Sequence, residues 1–169
     1  KREVELVRAR IDGIASMVRG ETATEFDYRL GIMVETPRAA LRADVIALNS
    51  AFLSFGTNDL TQMTYGLSRD DAGRFMSDYV QQGVFPEDPF HTLDIDGVGE
   101  LLKMGVKRAR DVKKDILLSI CGEHGGSPES IGFCREIGMD YVSCSPFRVP
   151  VAKLAAAQLA IKDRIDTFK

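Results

Sequence analysis

Apolar and polar positions follow two rhythms along this chain. Val4, Val7, Ile11, Ile14 and Val18 recur at helical spacing and predict an amphipathic helix over 1–20, with Gly20 as its stop. Four short apolar runs have no such period and predict buried strands: about 29–35, about 52–56, about 116–120 and 141–144. Helices are predicted between them. Pro37 suits the first turn of one running to about residue 47, and a second, Leu- and Val-rich on one side and Lys- and Arg-rich on the other, covers about 97–112. Ser127 as N-cap and Pro128 at the first position open a third, which Gly138 ends. An Ala-rich helix closes the chain over about 150–167, and Gly83, Pro86 and Pro89 break the stretch 60–95 into short pieces.

The order is α followed by four βα units, the pattern of a parallel sheet with helices on its faces. Four units fit a small open sheet or half of an eight-unit barrel, and periodicity does not separate the two. The 169 residues make one domain, 44% hydrophobic and 28% charged. A net charge of −3 gives no basis for binding nucleic acid or an anionic membrane. No apolar stretch approaches the ~20 residues that span a bilayer. Three irregularly spaced cysteines, Cys121, Cys134 and Cys144, make neither a disulfide scaffold nor a zinc site, and point to a reducing compartment.

The chemistry collects at strand ends. Glu35 closes the first apolar run, Asp59 follows the second, and the third ends at Cys121 before Gly122-Glu123-His124-Gly125-Gly126. Carboxyl ends of parallel strands share one face of the sheet, where ligands bind. Two carboxylates and a thiol there suit a hard divalent cation and a proton-transfer group. Plainer readings stand beside this one. Either acid alone serves as a cap for the helix that follows, a cysteine after a buried strand serves as core, and His124 serves a structural role. Arg38 could reach an anion, with pairing to a neighbouring acid the plainer reading; Arg69-Asp70-Asp71 form a surface ion-pair cluster or an interface element; contact of Arg148 with a phosphate in the last loop is the less favoured reading of that residue.

Longer blocks carry a resemblance. Ser54-Phe55-Gly56-Thr57-Asn58-Asp59-Leu60-Thr61-Gln62, Gly31-Ile32-Met33-Val34-Glu35-Thr36-Pro37-Arg38, Ile120-Cys121-Gly122-Glu123-His124-Gly125-Gly126 and Tyr141 through Pro150 resemble the motifs of phosphoenolpyruvate-utilising phosphotransferases. Within that family, Gly66 through Phe75, Asp88-Pro89-Phe90 and the Cys121 block look most like the pyruvate phosphate dikinases. The resemblance implies an α/β fold of parallel βα units forming the second half, strands five to eight, of a (β/α)8 TIM-type barrel, with residues 1–169 a single partial domain. It implies Mg2+ as cofactor, with Glu35 and Asp59 as its ligands. It further implies that Glu35, Gly56, Thr57, Asn58 and Asp59 bind pyruvate or phosphoenolpyruvate, and that Cys121 is the general acid that protonates the enolate methylene.

The implied partners are the phosphohistidine and ATP-grasp domains of a parent enzyme. Neither His91 nor His124 lies in a motif like the phosphocarrier's. The same chemistry would suit phosphoenolpyruvate synthase or the phosphotransferase-system enzyme I. A catalytically silent, self-associating half-barrel is a reading of another class. Two open sheet edges predict a homo-oligomer. The implied location is cytoplasmic, with plastid and glycosome also open to the parent enzyme.

Overall fold

In the computed structural model, which describes residues 1–167 and side chains through residue 164, four parallel strands form one sheet in chain order. They are β1 (Ile32–Val34), β2 (Phe52–Gly56), β3 (Leu117–Cys121) and β4 (Tyr141–Val142). Each crossover steps to the next strand in the same direction, so the sheet has no topological switch point. Right-handed crossovers then put successive helices on one side, the winding of a barrel rather than of a doubly wound sheet. An α/β fold consistent with part of a TIM-type barrel follows.

The long helix α1 (Arg2–Thr22) precedes the sheet. It runs past Gly20 and ends at Ala23, whose φ of 51° is left-handed. Leu6, Val7, Ile14 and Met17 on it are about half exposed. Its partner is the segment behind it: Arg19 sits 4.8 Å over the Phe26 ring, and Tyr28 donates to Asp12 at 2.5 Å.

The helix expected over 37–47 is two, α2 (Pro37–Leu41) and α3 (Ala43–Ala47), broken at Arg42. Thr36 caps α2 by accepting from the Ala39 amide at 3.2 Å. After β2 come α4 (Thr57–Tyr65), α5 (Arg69–Ala72) and α6 (Met76–Gln81), then α7 (Val98–Val112). The Asp94 carboxylate caps α7, accepting from the Gly97 and Val98 amides at 3.2 Å each. After β3, a 3-10 turn over Glu123–Gly126 leads to α8 (Pro128–Glu136) and, after β4, to α9 (Val149–Thr167). Ser127 is the N-cap residue of α8, but its side chain makes no cap hydrogen bond.

Strand alternation divides the two faces of the sheet. Val34, Leu53, Phe55 and Leu118 pack against Ala40, Ala43 and Ala47 of α2 and α3 and Val98, Leu102, Val106 and Ala109 of α7. Small residues on α2 and α3 let these helices lie close, and Gly105 of α7 receives the Phe55 ring where a Cβ would stand 2.7 Å from it. Burying Phe55 and Leu102 completely contributes about 1.5–3 kcal/mol each.

The opposite face carries Met33, Ser54 and Ser119 in one register row. Met33 and Tyr141 on this face stay 45% exposed, whereas Ser119 is fully buried. A barrel interior opened along its length has this character.

Candidate active site

The row above it holds the predicted chemistry. Gly56 pairs with Cys121 across β2 and β3, and one step beyond the Val34–Phe55 pair Glu35 comes beside Gly56. A Cβ on Gly56 would lie 3.0 Å from the Glu35 Cβ, 3.2 Å from its Oε2 and 3.2 Å from the Met33 Sδ. The Cys121 Sγ lies 3.4 Å from that same Met33 sulfur and 3.7 Å from the Phe55 carbonyl. Glycine at 56 therefore leaves the small gap between Glu35, Met33 and Cys121 free of a side chain, and even a Cβ would crowd it. Because Thr36 does the capping, the Glu35 side chain is released from that task.

Asp59 is placed differently from expectation. It does not end a strand; Thr57 already begins α4, so Asp59 lies in the first helical turn, where the helix dipole favours its charge. It lines, with Glu35, Thr36, Gln62 and Met63, a cleft of about 560 Å3. Its Oδ1 accepts from Gln62 Nε2 at 2.8 Å, and Gln62 Oε1 accepts from the Arg69 amide at 2.6 Å. Gln62 thus orients Asp59, a role the linear motif did not suggest. Arg69 in turn approaches Glu123 at 3.6 Å. The expected surface cluster is in part a strut between the loops after β2 and β3.

Those two loops are clamped at their centres. Thr57 Oγ1 donates to the Cys121 carbonyl at 2.9 Å, and Asn58 Oδ1 accepts from the Glu123 amide at 3.3 Å. Gly122 takes φ 115°, and a Cβ there would stand 2.8 Å from Thr57 Oγ1 and 2.9 Å from Asn58 Oδ1. The turn after Cys121 can press on Thr57 only because residue 122 is glycine. With its oxygen engaged, the Asn58 amide group is left as a donor.

Arg148 packs its stem on Gly126 and lines a smaller cavity, of about 240 Å3, with Gly122, Glu123 and Cys144.

The sequence is similar to known proteins over almost its whole length. The family model described as "PEP-utilising enzyme, PEP-binding domain" matches residues 1–161. The chain belongs to this family of phosphoenolpyruvate-utilising enzymes. It is 57% identical to the pyruvate, phosphate dikinase of Rhizobium meliloti (strain 1021) over 162 residues, 96% of this chain and 18% of that protein. Against the enzyme of the same name from Clostridium symbiosum it is 50% identical over 164 residues, 97% of this chain and 19% of the other. Against the chloroplastic enzyme of Mesembryanthemum crystallinum the identity is 52% over 157 residues, 93% and 16%. The chain thus spans less than a fifth of the length of these relatives.

For this PEP-binding domain the donor set decides whether a metal fits. Among the described residues no group of three or more His, Cys, Asp or Glu side chains is arranged to hold one alone. Mg2+ does not need such a cage: it takes one or two carboxylates and completes its octahedron with water and substrate oxygens. Glu35 and Asp59 facing one cleft beside the gap at Gly56 fit that requirement.

The three cysteines differ in this domain. Cys134 is 1% exposed, and burial pushes its thiol up to about 12, whereas Cys121 and Cys144 are partly open to solvent. Only thiolate reacts with alkylating agents. Brief iodoacetamide treatment of the native chain near neutral pH is therefore expected to label Cys121 and Cys144 and spare Cys134. In urea all three should react. Mass spectrometry of the intact chain counts the labels, and native labelling of Cys134 at the rate of Cys121 would contradict this packing.

No helix among the described residues is long and apolar enough to cross a membrane.

Proposed function

We propose that this domain is the pyruvate- and phosphoenolpyruvate-binding part of a pyruvate phosphate dikinase-type phosphotransferase, and supplies strands five to eight of its barrel. The overall reaction would interconvert ATP, phosphate and pyruvate with AMP, diphosphate and phosphoenolpyruvate. A phosphohistidine domain and an ATP-grasp domain of the longer protein would carry the other steps. The bare sheet face and the free edge of β1 would meet the remaining strands of the barrel. Three free cysteines suit a reducing compartment, the cytosol or the plastid.

One observation carries this reading: Glu35, Gly56 and Cys121 stand side by side at adjacent strand ends, with Asp59 beside Glu35 on the same cleft. Glu35 and Asp59 would hold Mg2+, whose chemistry when bound is to polarise the enolate oxygen as a Lewis acid. The cleft that Glu35 and Asp59 line would take the three-carbon acid, and Gly56, with no side chain of its own, would keep the approach from that cleft to the thiol clear. Asn58, as amide donor, and the backbone of Thr57 would orient the carboxylate or phosphoryl oxygens. The Cys121 thiol would give a proton to the enolate methylene carbon when pyruvate forms and take it back in reverse. A thiol can both give up a proton and take one back, which serves the two directions of the reaction.

Oxalate is a planar, unreactive mimic of the enolate and tests the site without the missing domains. Titration calorimetry of the 169-residue chain should show oxalate binding in Mg2+ that disappears when the metal is chelated. Binding that ignores Mg2+, or no binding at millimolar oxalate with metal present, would overturn the reading.

A further inference from the structure

His124 is fully buried, and both of its ring nitrogens are engaged. Nε2 faces the Pro89 carbonyl at 2.9 Å and Nδ1 faces Thr57 Oγ1 at 2.8 Å. Thr57 Oγ1 also lies 2.9 Å from the Cys121 carbonyl. The chain of contacts therefore runs Pro89 O, His124, Thr57 Oγ1, Cys121 O, joining segments far apart in sequence.

Counting hydrogens along it gives an unequal result. Both ends are carbonyl oxygens, which only accept. Nε2 must carry a hydrogen to hold Pro89. The Thr57 hydroxyl has one hydrogen and two claimants, Nδ1 and the Cys121 carbonyl. With a neutral ring, one of those two links is unmade at any instant. With a second proton on Nδ1 the ring donates to Thr57, and the hydroxyl hydrogen is assigned to Cys121. The ring thus governs the peptide that carries the thiol without touching the sulfur.

We propose that His124 is a positioning residue for Cys121, directing the Cys121–Gly122 peptide through the Thr57 hydroxyl and tethering it to the segment at Pro89. Its catalytic meaning rests on Cys121 being the proton donor proposed above; the linkage itself does not. Burial acts most strongly on the ring and lowers its pKa; the bond to the Pro89 carbonyl and the charge of Glu123 favour the charged ring, and His91 and Arg69 oppose it. Ordinary histidine titrates near 6.5. The neutral state therefore holds above that value, and the locked state is entered only as pH falls below it.

Nuclear magnetic resonance on the 169-residue chain reads the ring directly, with the exposed His91 as reference. At neutral pH His124 should show hydrogen on Nε2 and none on Nδ1. As pH is lowered from about 7 through the range in which the His124 ring signals themselves move, the Cys121 carbonyl resonance should move with them. The rate of Cys121 alkylation, corrected for thiolate fraction, should step by about three- to tenfold across the same range, the scale of one hydrogen bond. Thr57→Val and His124→Gln should abolish the step, and Thr57→Ser should restore it.

A neutral ring with its hydrogen on Nδ1, a Cys121 carbonyl indifferent to His124, or a step that survives Thr57→Val would each overturn the proposal. If a variant fails to fold, the wild-type ring and carbonyl titrations decide alone. None of these measurements uses metal or oxalate. A chain that shows the coupling yet binds no oxalate would refute the function and leave the linkage standing.

Discussion

Gly125→Ala is expected to destabilise the chain by about 3 kcal/mol or more, the upper range for forcing atoms into a packed site. A Cβ at this position would stand 2.0 Å from the Ser143 carbonyl oxygen and 3.0 Å from its carbon. Both are backbone atoms, so no side chain can swing aside. Nor is the strand free to retreat, because the Ser143 amide donates to the Ile120 carbonyl at 2.9 Å and holds the end of β4 to β3. The 3-10 turn would have to lift instead, pulling His124 away from Thr57 and Pro89 and leaving buried polar groups unpaired.

For a chain of this size the loss corresponds to a fall of about 6 °C or more in the thermal midpoint. Gly13→Ala is the matched control. It lies in α1 with nothing within 4 Å of its added Cβ, and alanine there should stabilise by about 0.5–1 kcal/mol. Urea or thermal unfolding of the two variants checks the pair. A Gly125→Ala protein as stable as wild type would mean that the turn does not press on β4 as described.

The alternation of helices and strands is legible because each strand is a compact apolar run and α7 has one clear apolar stripe. Val98, Leu102, Val106 and Ala109 show this well, spaced along the one face of α7 that is buried. The break between α2 and α3 was not legible: Arg42, where the helix turns away, is neither glycine nor proline. The end of α1 was misread for the converse reason. Gly20 is exposed with open space around it, so nothing forces the helix to stop there, and it continues to Thr22. Glu35 and Cys121 were readable as strand ends because strand register brings such residues into one row. Asp59 lies in the first turn of a helix rather than at a strand end, since α4 begins at Thr57 without a loop. The clamp of Thr57, Cys121 and His124 left no local trace. Thr57 lies more than sixty residues before the other two, and a buried histidine reads the same in sequence whether it fills space or directs a neighbour.

Removing either carboxylate should have the largest effect on ligand binding. Glu35→Gln and Asp59→Asn keep the shape of the side chain and delete one charge, so the fold should be preserved while Mg2+-dependent oxalate binding weakens by at least about thirtyfold. That factor corresponds to about 2 kcal/mol, the scale of losing one charged ligand from a metal that the carboxylates and oxalate together would shield from water. The two differ in surroundings. Asp59 is exposed and held by Gln62, whereas Glu35 leans over the gap at Gly56. Gly56→Ala separates charge from space: both carboxylates remain, but a methyl group enters at 3.0–3.2 Å from Glu35 and Met33. Those neighbours are side chains that can yield, so stability should change little, while oxalate must compete with the methyl for the same volume. Calorimetry in Mg2+ together with thermal melts distinguishes the cases. Equal oxalate affinity in all three variants would show that the ligand lies elsewhere. Loss of binding only in Gly56→Ala would keep the pocket and remove the carboxylates from the metal's coordination.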